Sequence, residues 1–291
     1  LFRSRSGTTY LHRLMTLDEG RFAYFKLYQT IGNSITFNKL IHFFGRIDKR
    51  IGQPLRRFFD WTDKVFFKGW KDIHPMGWNH SEEDEAQFVF SFTSPAVCLM
   101  FPYLKSYDWI NFPDNYSQKK ANKLMDFYEN SLKRFMYSEG KGKQLLDKNV
   151  LSTGRVKLLL DRFPDAHIIY PVRNPYNTVP SLISMFTSSW KLICPFIPED
   201  SEEYRQLGYL AIAYYKHWDV VSGNIPANRF YSISYDKLVE SPIKVIHGIY
   251  SHFGMDISPE FNQSLLKMGK RNKNYVSKHI YSLEQYGMTK A

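Results

Sequence analysis

The sequence predicts an α/β protein in which helices cover a mostly parallel central sheet. Two observations predict this fold class. In the second half of the chain, short apolar strand patterns alternate with amphipathic helical patterns, and parallel strands need such helical crossovers between them. Near the start, residues 5–9 (RSGTT) form a glycine-containing loop that runs directly into a helical pattern. Loops of this kind lie at the carboxyl edge of a parallel sheet and bind anions at a helix N-terminus.

Composition favours one α/β domain over residues 1–291 rather than two. The net charge of +11 indicates an acidic partner, but no basic tail or zinc-finger spacing favours nucleic acid. Cys98 and Cys194 form neither a disulfide framework nor a metal motif, which is typical of a reducing compartment. We therefore expect a cytoplasmic location.

The first helix is predicted over Thr8–Met15. Only Leu1 and Phe2 stand where a full strand is expected before the loop. We therefore expect the N-terminal strand to be truncated in this chain, and a targeting segment upstream stays open.

Residues 21–75 are predicted to form a helical insertion. Between residues 21 and 71, aromatic side chains alternate with Lys and Arg, and Gly32, Gly45 and Gly52 divide the pattern into short helices. Three interpretations stay open for this insertion: a lid over an apolar acceptor, a surface that contacts an anionic membrane, or amphipathic helices that pack on the main domain with solvated charges.

The rest of the chain alternates helices with short strands. A capped, acidic helix start is predicted at Ser81–Asp84, and two later helices begin at Ser241-Pro242 and Ser258-Pro259 with Ser as the N-cap. The other predicted elements are, in order, helix 117–137, strand 143–148, helix 153–163, strand 167–172, helix 204–221 and strand 229–234.

The residue types of the loop at 5–9 suit a phosphate or sulfate group. Gly7 lets the backbone approach an anion closely, and Arg5 offers paired N–H donors. Three hydroxyls add further donors: Ser6, Thr8 and Thr9. The loop lacks the Lys that follows the glycine in nucleoside-triphosphate loops, and no clear Asp follows a second strand to hold Mg²⁺. It therefore predicts an anionic group-transfer donor that is bound without a metal.

A second anion-binding element is predicted at residues 163–181. Arg173 lies where the buried strand at 167–172 ends, and Ser181 follows eight residues later in the next helix. At this spacing a guanidinium and a hydroxyl can converge on one phosphate. Two such elements on one chain favour a nucleotide with two separate anionic groups over a triphosphate.

Both elements resemble those of sulfotransferases that use 3′-phosphoadenosine 5′-phosphosulfate (PAPS), in the broad bacterial-type branch of that family. The resemblance runs in separate blocks from Arg5 to Gly287, includes a closing segment similar to residues 279–287 (HIYSLEQYG), and is weakest at 21–71. It implies a P-loop-type three-layer α/β fold. It also implies that residues 5–9 hold the 5′-phosphosulfate, while Arg173 and Ser181 hold the 3′-phosphate.

The resemblance further implies the catalytic residues. Lys148 matches the family lysine beside the transferred sulfuryl group, where an ammonium stabilises charge on the bridging oxygen. The Pro and His that often follow this Lys in the family are replaced by Val150 and Ser152, so the general base must lie elsewhere. The candidates are His74 and Glu83. The acidic residues around Glu83 also have a purely structural interpretation, because carboxylates favour the first turn of a helix.

The sequence thus predicts a sulfotransferase that moves a sulfuryl group from PAPS to a hydroxyl of a carbohydrate, lipid or other small acceptor, without a metal or a nucleic-acid partner. Two other classes stay open. One is a P-loop kinase-like phosphotransferase, although the GK[ST] signature is missing. The other is a non-catalytic module that binds anionic glycans or membranes through the insertion. Neither the identity of the acceptor nor the oligomeric state is predicted.

Overall fold

Short parallel strand pairs surrounded by helices form the framework of the protein. A computed structural model describes residues 5–66, 77–271 and 281–289. The helices are α1 (Thr8–Met15), α2 (Leu27–Ile31), α3 (Ile35–Arg50), α4 (Pro54–Phe66), α5 (Ala86–Phe90), α6 (Gln118–Glu139), α7 (Val156–Arg162), α8 (Pro175–Thr187), α9 (Trp190–Ile193), α10 (Glu202–Ser222), α11 (Tyr235–Glu240), α12 (Pro242–His252) and α13 (Pro259–Arg271). The strands are β1 (Phe22–Ala23), β2 (Gln144–Leu145), β3 (Ile168–Val172) and β4 (Phe230–Ser234).

Both strand pairs are parallel, and the predicted α/β fold class is confirmed. β1 pairs with β2 in the register Phe22–Gln144, while β3 pairs with β4 from Ile168–Phe230 to Val172–Ser234. Each pair joins distant parts of the chain, and the helices between its strands make the crossovers.

Elements with strong local signals form where the sequence predicts them. α1 covers Thr8–Met15 as predicted, and α12 and α13 begin at the predicted Pro242 and Pro259. Proline suits this position because its missing N–H would have no partner within the helix. β2 covers only two of the six residues predicted as a strand, and β1 is absent from the prediction because two residues show no alternation.

Two predictions in the first half of the chain are wrong. The helix expected to start at Ser81–Asp84 is α5, which begins at Ala86, and Glu85 at its N-cap has helical backbone angles without a side-chain capping bond. The acidic side chains instead bind buried partners, as described below. Gly45 lies inside α3 rather than at a helix end. A Cβ there would meet nothing within 4 Å, so the surface position tolerates glycine at a cost of about 1 kcal/mol.

Three buried apolar clusters hold these elements together. The first packs α1 against β4 and α12, the second packs α6 against β3 and α10, and the third packs α8 against α10 and residues 283–288. The loop at 5–9 leads into the first cluster, and Ser181 lies between Val179 and Leu182 of the third. The two predicted anion-binding elements are therefore held by different parts of the core.

The predicted insertion, as far as residue 66, contains β1 and α2 followed by α3 and α4. We call residues 35–66 the α3–α4 hairpin. Within the described ranges, no helix is both long enough and apolar enough to cross a bilayer.

Candidate active site

The loop at residues 5–9 turns sharply into α1. Gly7 occupies the N-cap position of this helix with φ 80° and ψ 9°, left-handed angles that glycine adopts without a steric penalty. A Cβ at Gly7 would lie 3.0 Å from Leu238 Cδ2 and 3.1 Å from Tyr235 Cδ2. The close contact with these two side chains also favours glycine. No described side chain caps this helix start, where the first N–H groups of α1 can face an anion.

The two predicted anion-binding elements meet in the structure. Arg5 Nε donates a hydrogen bond of 2.8 Å to Ser181 Oγ, and Arg173 Nη1 donates one of 2.9 Å to the Arg5 carbonyl oxygen. The Arg173 guanidinium lies 4.4 Å from the centroid of the Tyr235 ring. Two guanidinium groups and a buried hydroxyl thus come together beside the N-terminus of α1.

Local structure explains why Arg173 and Ser181 converge. β3 ends at Val172, so Arg173 emerges at the carboxyl end of a parallel strand. Asn174 then caps α8, because its side chain accepts a 2.9 Å hydrogen bond from Tyr176 N, and Pro175 occupies the first helical position. Ser181 lies two turns into α8 and is buried.

Lys148 is fully buried and has two polar partners in the site. Its Nζ lies 2.9 Å from Glu83 Oε1 and donates a 3.3 Å hydrogen bond to Thr9 Oγ1. Glu83 Oε2 accepts a 3.3 Å hydrogen bond from Val150 N. The structure therefore brings Thr9, Glu83 and Lys148 into one connected group that the carboxylate of Glu83 anchors to the backbone.

Two further acidic residues, Asp84 and Asp147, lie next to this group. Asp84 accepts a 2.6 Å hydrogen bond from Asn149 Nδ2 and another from the Tyr128 hydroxyl. Burial, together with the neighbouring Asp147 carboxyl, raises the pKa of Asp84 well above its ordinary value. The pKa of Asp147 is raised to about 6 by desolvation and by the charge of Glu83. From the sequence, Asp84 is predicted only as a helix-start residue. Its buried hydrogen bonds to Tyr128 and Asn149 are visible only in the structure.

His12 is a further buried residue, and it is not among the site residues predicted from the sequence. It lies one turn beyond Thr8 on α1, and its Nε2 is 3.5 Å from the Leu146 carbonyl oxygen. Burial and the nearby charge of Lys148 lower the pKa of His12 well below its ordinary value. The spacing from Thr8 to His12 is the sequence signal, since residues four apart share one face of a helix.

Glu85 and Arg155 form a second buried ion pair close to the site. Arg155 Nη2 lies 2.7 Å from Glu85 Oε1 and 2.9 Å from Glu85 Oε2. The guanidinium also stacks 3.6 Å from the centroid of the Phe88 ring. This pair explains part of the acidic run at residues 82–85, which the sequence predicts as helix capping.

Some predicted residues cannot be placed. His74 lies outside the described residues, and so do His279 and Ile280 at the start of the closing segment. In residues 281–289, Tyr286 packs against Tyr204 with ring centroids 5.9 Å apart. Across the described parts of the chain, no group of three or more His, Cys, Asp or Glu side chains could hold a metal ion.

Comparison with known protein families identifies one whose model matches most of the chain. The model of a family described as "Sulfotransferase family" matches residues 3–259. Two curated relatives, from Mycobacterium bovis and Mycobacterium tuberculosis, are 24% identical over 227 residues, which is 75% of this chain and 55% of theirs. Both are named omega-hydroxy-beta-dihydromenaquinone-9 sulfotransferase Stf3. The chain thus spans about half the length of the curated relatives it matches.

Two solved structures share the fold. Sulfotransferase STF9 from Mycobacterium avium is similar with a TM-score of 0.75 at 17% identity, over 99% of this chain and 71% of that chain. Sulfotransferase STF1 from Mycobacterium tuberculosis H37Rv is similar with a TM-score of 0.69 at 20% identity, over 99% of this chain and 74% of that chain. At this level of identity the likeness concerns the fold alone.

Proposed function

The chain belongs to the sulfotransferase family, and from that premise we propose that it transfers a sulfuryl group from PAPS to the hydroxyl of a small, lipid-like acceptor. The observation that carries the proposal is the contact between Arg5 and Ser181, with Arg173 bonded to the Arg5 carbonyl. This contact joins two anion-binding elements whose contacting residues are 176 positions apart in the chain.

The donor set at the site fits PAPS, which supplies the sulfuryl group when bound and also carries a separate 3′-phosphate. Residues 5–9 would hold the phosphosulfate, because the N-terminus of α1 and the hydroxyls beside Gly7 all offer hydrogen-bond donors to an anion. Arg173 and Ser181 would hold the 3′-phosphate. Gly7 supports this assignment, since its left-handed backbone angles favour glycine and leave the helix N-terminus open to an anion.

Lys148 and Glu83 would have different roles in catalysis. The Lys148 ammonium, 3.3 Å from Thr9 Oγ1, would stabilise negative charge that develops on the leaving group. Glu83 would take the proton of the acceptor hydroxyl. Its side chain is 20% exposed whereas Lys148 is 0% exposed, so an acceptor can reach the carboxylate while the buried ammonium orients it. His74 is the rival base.

One observation favours a lipid-like acceptor over a carbohydrate. The curated relatives are named for omega-hydroxy-beta-dihydromenaquinone-9.

Selective nucleotide binding tests the proposal. We expect adenosine 3′,5′-bisphosphate to raise the unfolding temperature, while adenosine 5′-phosphate has little effect, because only the bisphosphate offers a 3′-phosphate to Arg173. Arg173→Ala should abolish the shift, and the matched variant Arg162→Ala, on the surface of α7, should keep it. Equal stabilisation by ATP with Mg²⁺ would instead support a kinase-like phosphotransferase.

The identity of the base has its own test. With a long-chain alcohol as acceptor and labelled PAPS as donor, we expect Glu83→Gln to lower kcat by about 100-fold or more. The same variant should keep its stabilisation by adenosine 3′,5′-bisphosphate. His74→Gln should stay within a few-fold of the wild type. The reverse pattern would assign the base to His74.

A further inference from the structure

The α3–α4 hairpin presents its large apolar side chains outward. The exposed residues are Phe37, Leu40, Phe43, Phe44, Ile47, Ile51, Leu55, Phe58, Phe59, Trp61, Val65 and Phe66. Trp61 is 57% exposed and Phe66 is 66% exposed. Isolated exposed apolar residues are ordinary on a protein surface, but a run of this kind marks an interaction surface.

The hairpin contacts the body of the protein through its polar side. His42 pairs with Glu139 at the end of α6, and Lys39 Nζ lies 5.3 Å from the centroid of the Tyr137 ring. Phe37, Phe44 and Ile47 recur at helical spacing on another face of α3 and remain exposed. An amphipathic helix that packs on a core normally buries its apolar face, whereas among the described residues this face remains exposed, which marks it as an interaction surface.

The hairpin is a defined structure rather than a loosely attached segment. The buried Asp48 on α3 accepts hydrogen bonds from Leu55 N at 2.7 Å and Arg56 N at 3.1 Å, so it caps the first turn of α4. Near the far end of α4, Thr62 Oγ1 accepts a 3.0 Å hydrogen bond from Trp78 Nε1. These bonds fix the two helices in place, and the apolar side chains stay exposed within this fixed arrangement.

Charge identifies the kind of partner. The hairpin has seven Lys and Arg residues against three Asp, a formal net charge of +4. Basic side chains occur along both helices, close to the apolar stripe: Lys39, Arg46, Lys49, Arg50, Arg56, Arg57 and Lys64. Aromatic side chains flanked by Lys and Arg are the composition of helices that lie in the interface of an anionic bilayer.

We propose that the α3–α4 hairpin docks the protein on an anionic lipid surface. Its aromatic residues enter the boundary between headgroups and acyl chains, and its Lys and Arg side chains meet the acidic headgroups. A second copy of this chain is a poorer partner for the same face, since each copy would bring the same positive charge. The docking stands independently of the sulfuryl-transfer reaction proposed above.

Vesicle co-sedimentation of the whole protein tests this inference. We expect binding to vesicles of equal parts phosphatidylglycerol and phosphatidylcholine, little binding to vesicles of phosphatidylcholine alone, and loss of binding at high salt. The triple variant Phe58→Ala/Trp61→Ala/Phe66→Ala should weaken binding by about tenfold or more because it removes buried aromatic contacts with the bilayer. Lys49→Glu/Arg50→Glu should weaken it by about tenfold.

Matched controls use exposed residues of the same types outside the hairpin. Phe101→Ala/Phe127→Ala/Phe196→Ala serves for the aromatic change, and Lys119→Glu/Lys123→Glu on α6 serves for the charge change. Both controls should bind vesicles like the wild type. The hairpin variants should keep their stabilisation by adenosine 3′,5′-bisphosphate, which shows that they are folded and separates this test from the test of the proposed function.

Three results would overturn the proposal. The first is a wild-type protein that ignores both kinds of vesicle, and the second is equal binding to the neutral and the anionic vesicles. The third is a wild-type dimer in sedimentation velocity that the triple variant converts to a monomer, with no vesicle binding by either protein. That result would assign the apolar face to a second copy of the chain.

Discussion

Two neighbouring carboxylates, Glu83 and Glu85, each pair with a buried cation. The Glu83 side chain keeps 20% of its surface exposed beside Lys148, whereas Glu85 and Arg155 are 9% and 1% exposed. A buried ion pair adds little net stability, but losing one partner leaves an uncompensated charge. The open pair therefore suits chemistry with a substrate, and the closed pair supports the packing behind it.

Arg155→Met tests the structural role of the closed pair. We expect this variant to lose about 3–5 kcal/mol of unfolding free energy, because Glu85 would remain buried without its cationic partner. The double variant Arg155→Met/Glu85→Gln should recover part of that loss. Urea denaturation measures these two variants and the single variant Glu85→Gln, with Arg162→Met as a surface control that leaves the midpoint nearly unchanged. If the double variant is as unstable as the sum of the two single variants, the pairing is unimportant.

The raised pKa of Asp147 makes the free energy of unfolding depend on pH. Its folded pKa of about 6 lies above the ordinary value of 3.8, so its stabilising contribution is complete below the unfolded pKa and is lost as the pH rises through about 6. Asp147→Asn should remove this dependence. The stability of the variant relative to wild type should improve by about 1 kcal/mol from pH 5 to pH 8. A parallel shift in the exposed control Asp256→Asn, or a constant difference for Asp147→Asn, would contradict this prediction.

At the scale of elements, the sequence predicts what local chemistry decides. α1 and α12 begin where expected because a glycine or a Ser-Pro pair marks each start. β1 and β2 are each two residues long, and they form because Phe22 meets Gln144 across a large gap in the chain. No local pattern encodes such a pairing.

The same distinction applies to the site. Arg5, Arg173 and Ser181 can be predicted as anion-binding residues because each belongs to a short segment with its own chemistry. Asp84 and His12 cannot, because their shifted pKa values come from burial and nearby charges, which only tertiary packing produces. The acidic run before α5 is predicted as helix capping for the same reason. In the structure, Glu85 of this run instead forms an ion pair with the distant Arg155.

Asp48 controls the corner between α3 and α4. Its carboxylate accepts hydrogen bonds from Leu55 N and Arg56 N, which would otherwise lack partners at the helix start. Asp48→Ala should cost about 1 kcal/mol locally and speed hydrogen exchange at those two amides. The corner would open without unfolding the core, so the unfolding midpoint of the protein should change little. Unchanged exchange at Leu55 and Arg56 would show that the cap is unimportant in solution.

At the scale of the whole molecule, the candidate active site joins separate parts of the core. The loop at 5–9 and α1 belong to the apolar cluster around β4 and α12, whereas α8 packs in the cluster around α10. The hydrogen bond from Arg5 to Ser181 connects these two clusters at the site. A ligand that engages both residues would therefore couple elements whose contacting residues are 176 positions apart in the chain.

Hydrogen exchange with saturating adenosine 3′,5′-bisphosphate tests this coupling. Because the ligand binds only the folded state, we expect amide exchange in both α1 and α8 to slow by about tenfold to a hundredfold. Amides of α4 should not change, since the α3–α4 hairpin contacts neither Arg5 nor Ser181 through any described hydrogen bond. In Ser181→Ala the slowing should persist in α1 but weaken in α8, because residues 5–9 still hold the phosphosulfate position while the link to α8 is lost. If α8 is protected as strongly in this variant as in the wild type, the ligand couples the two clusters by a route that does not pass through Ser181.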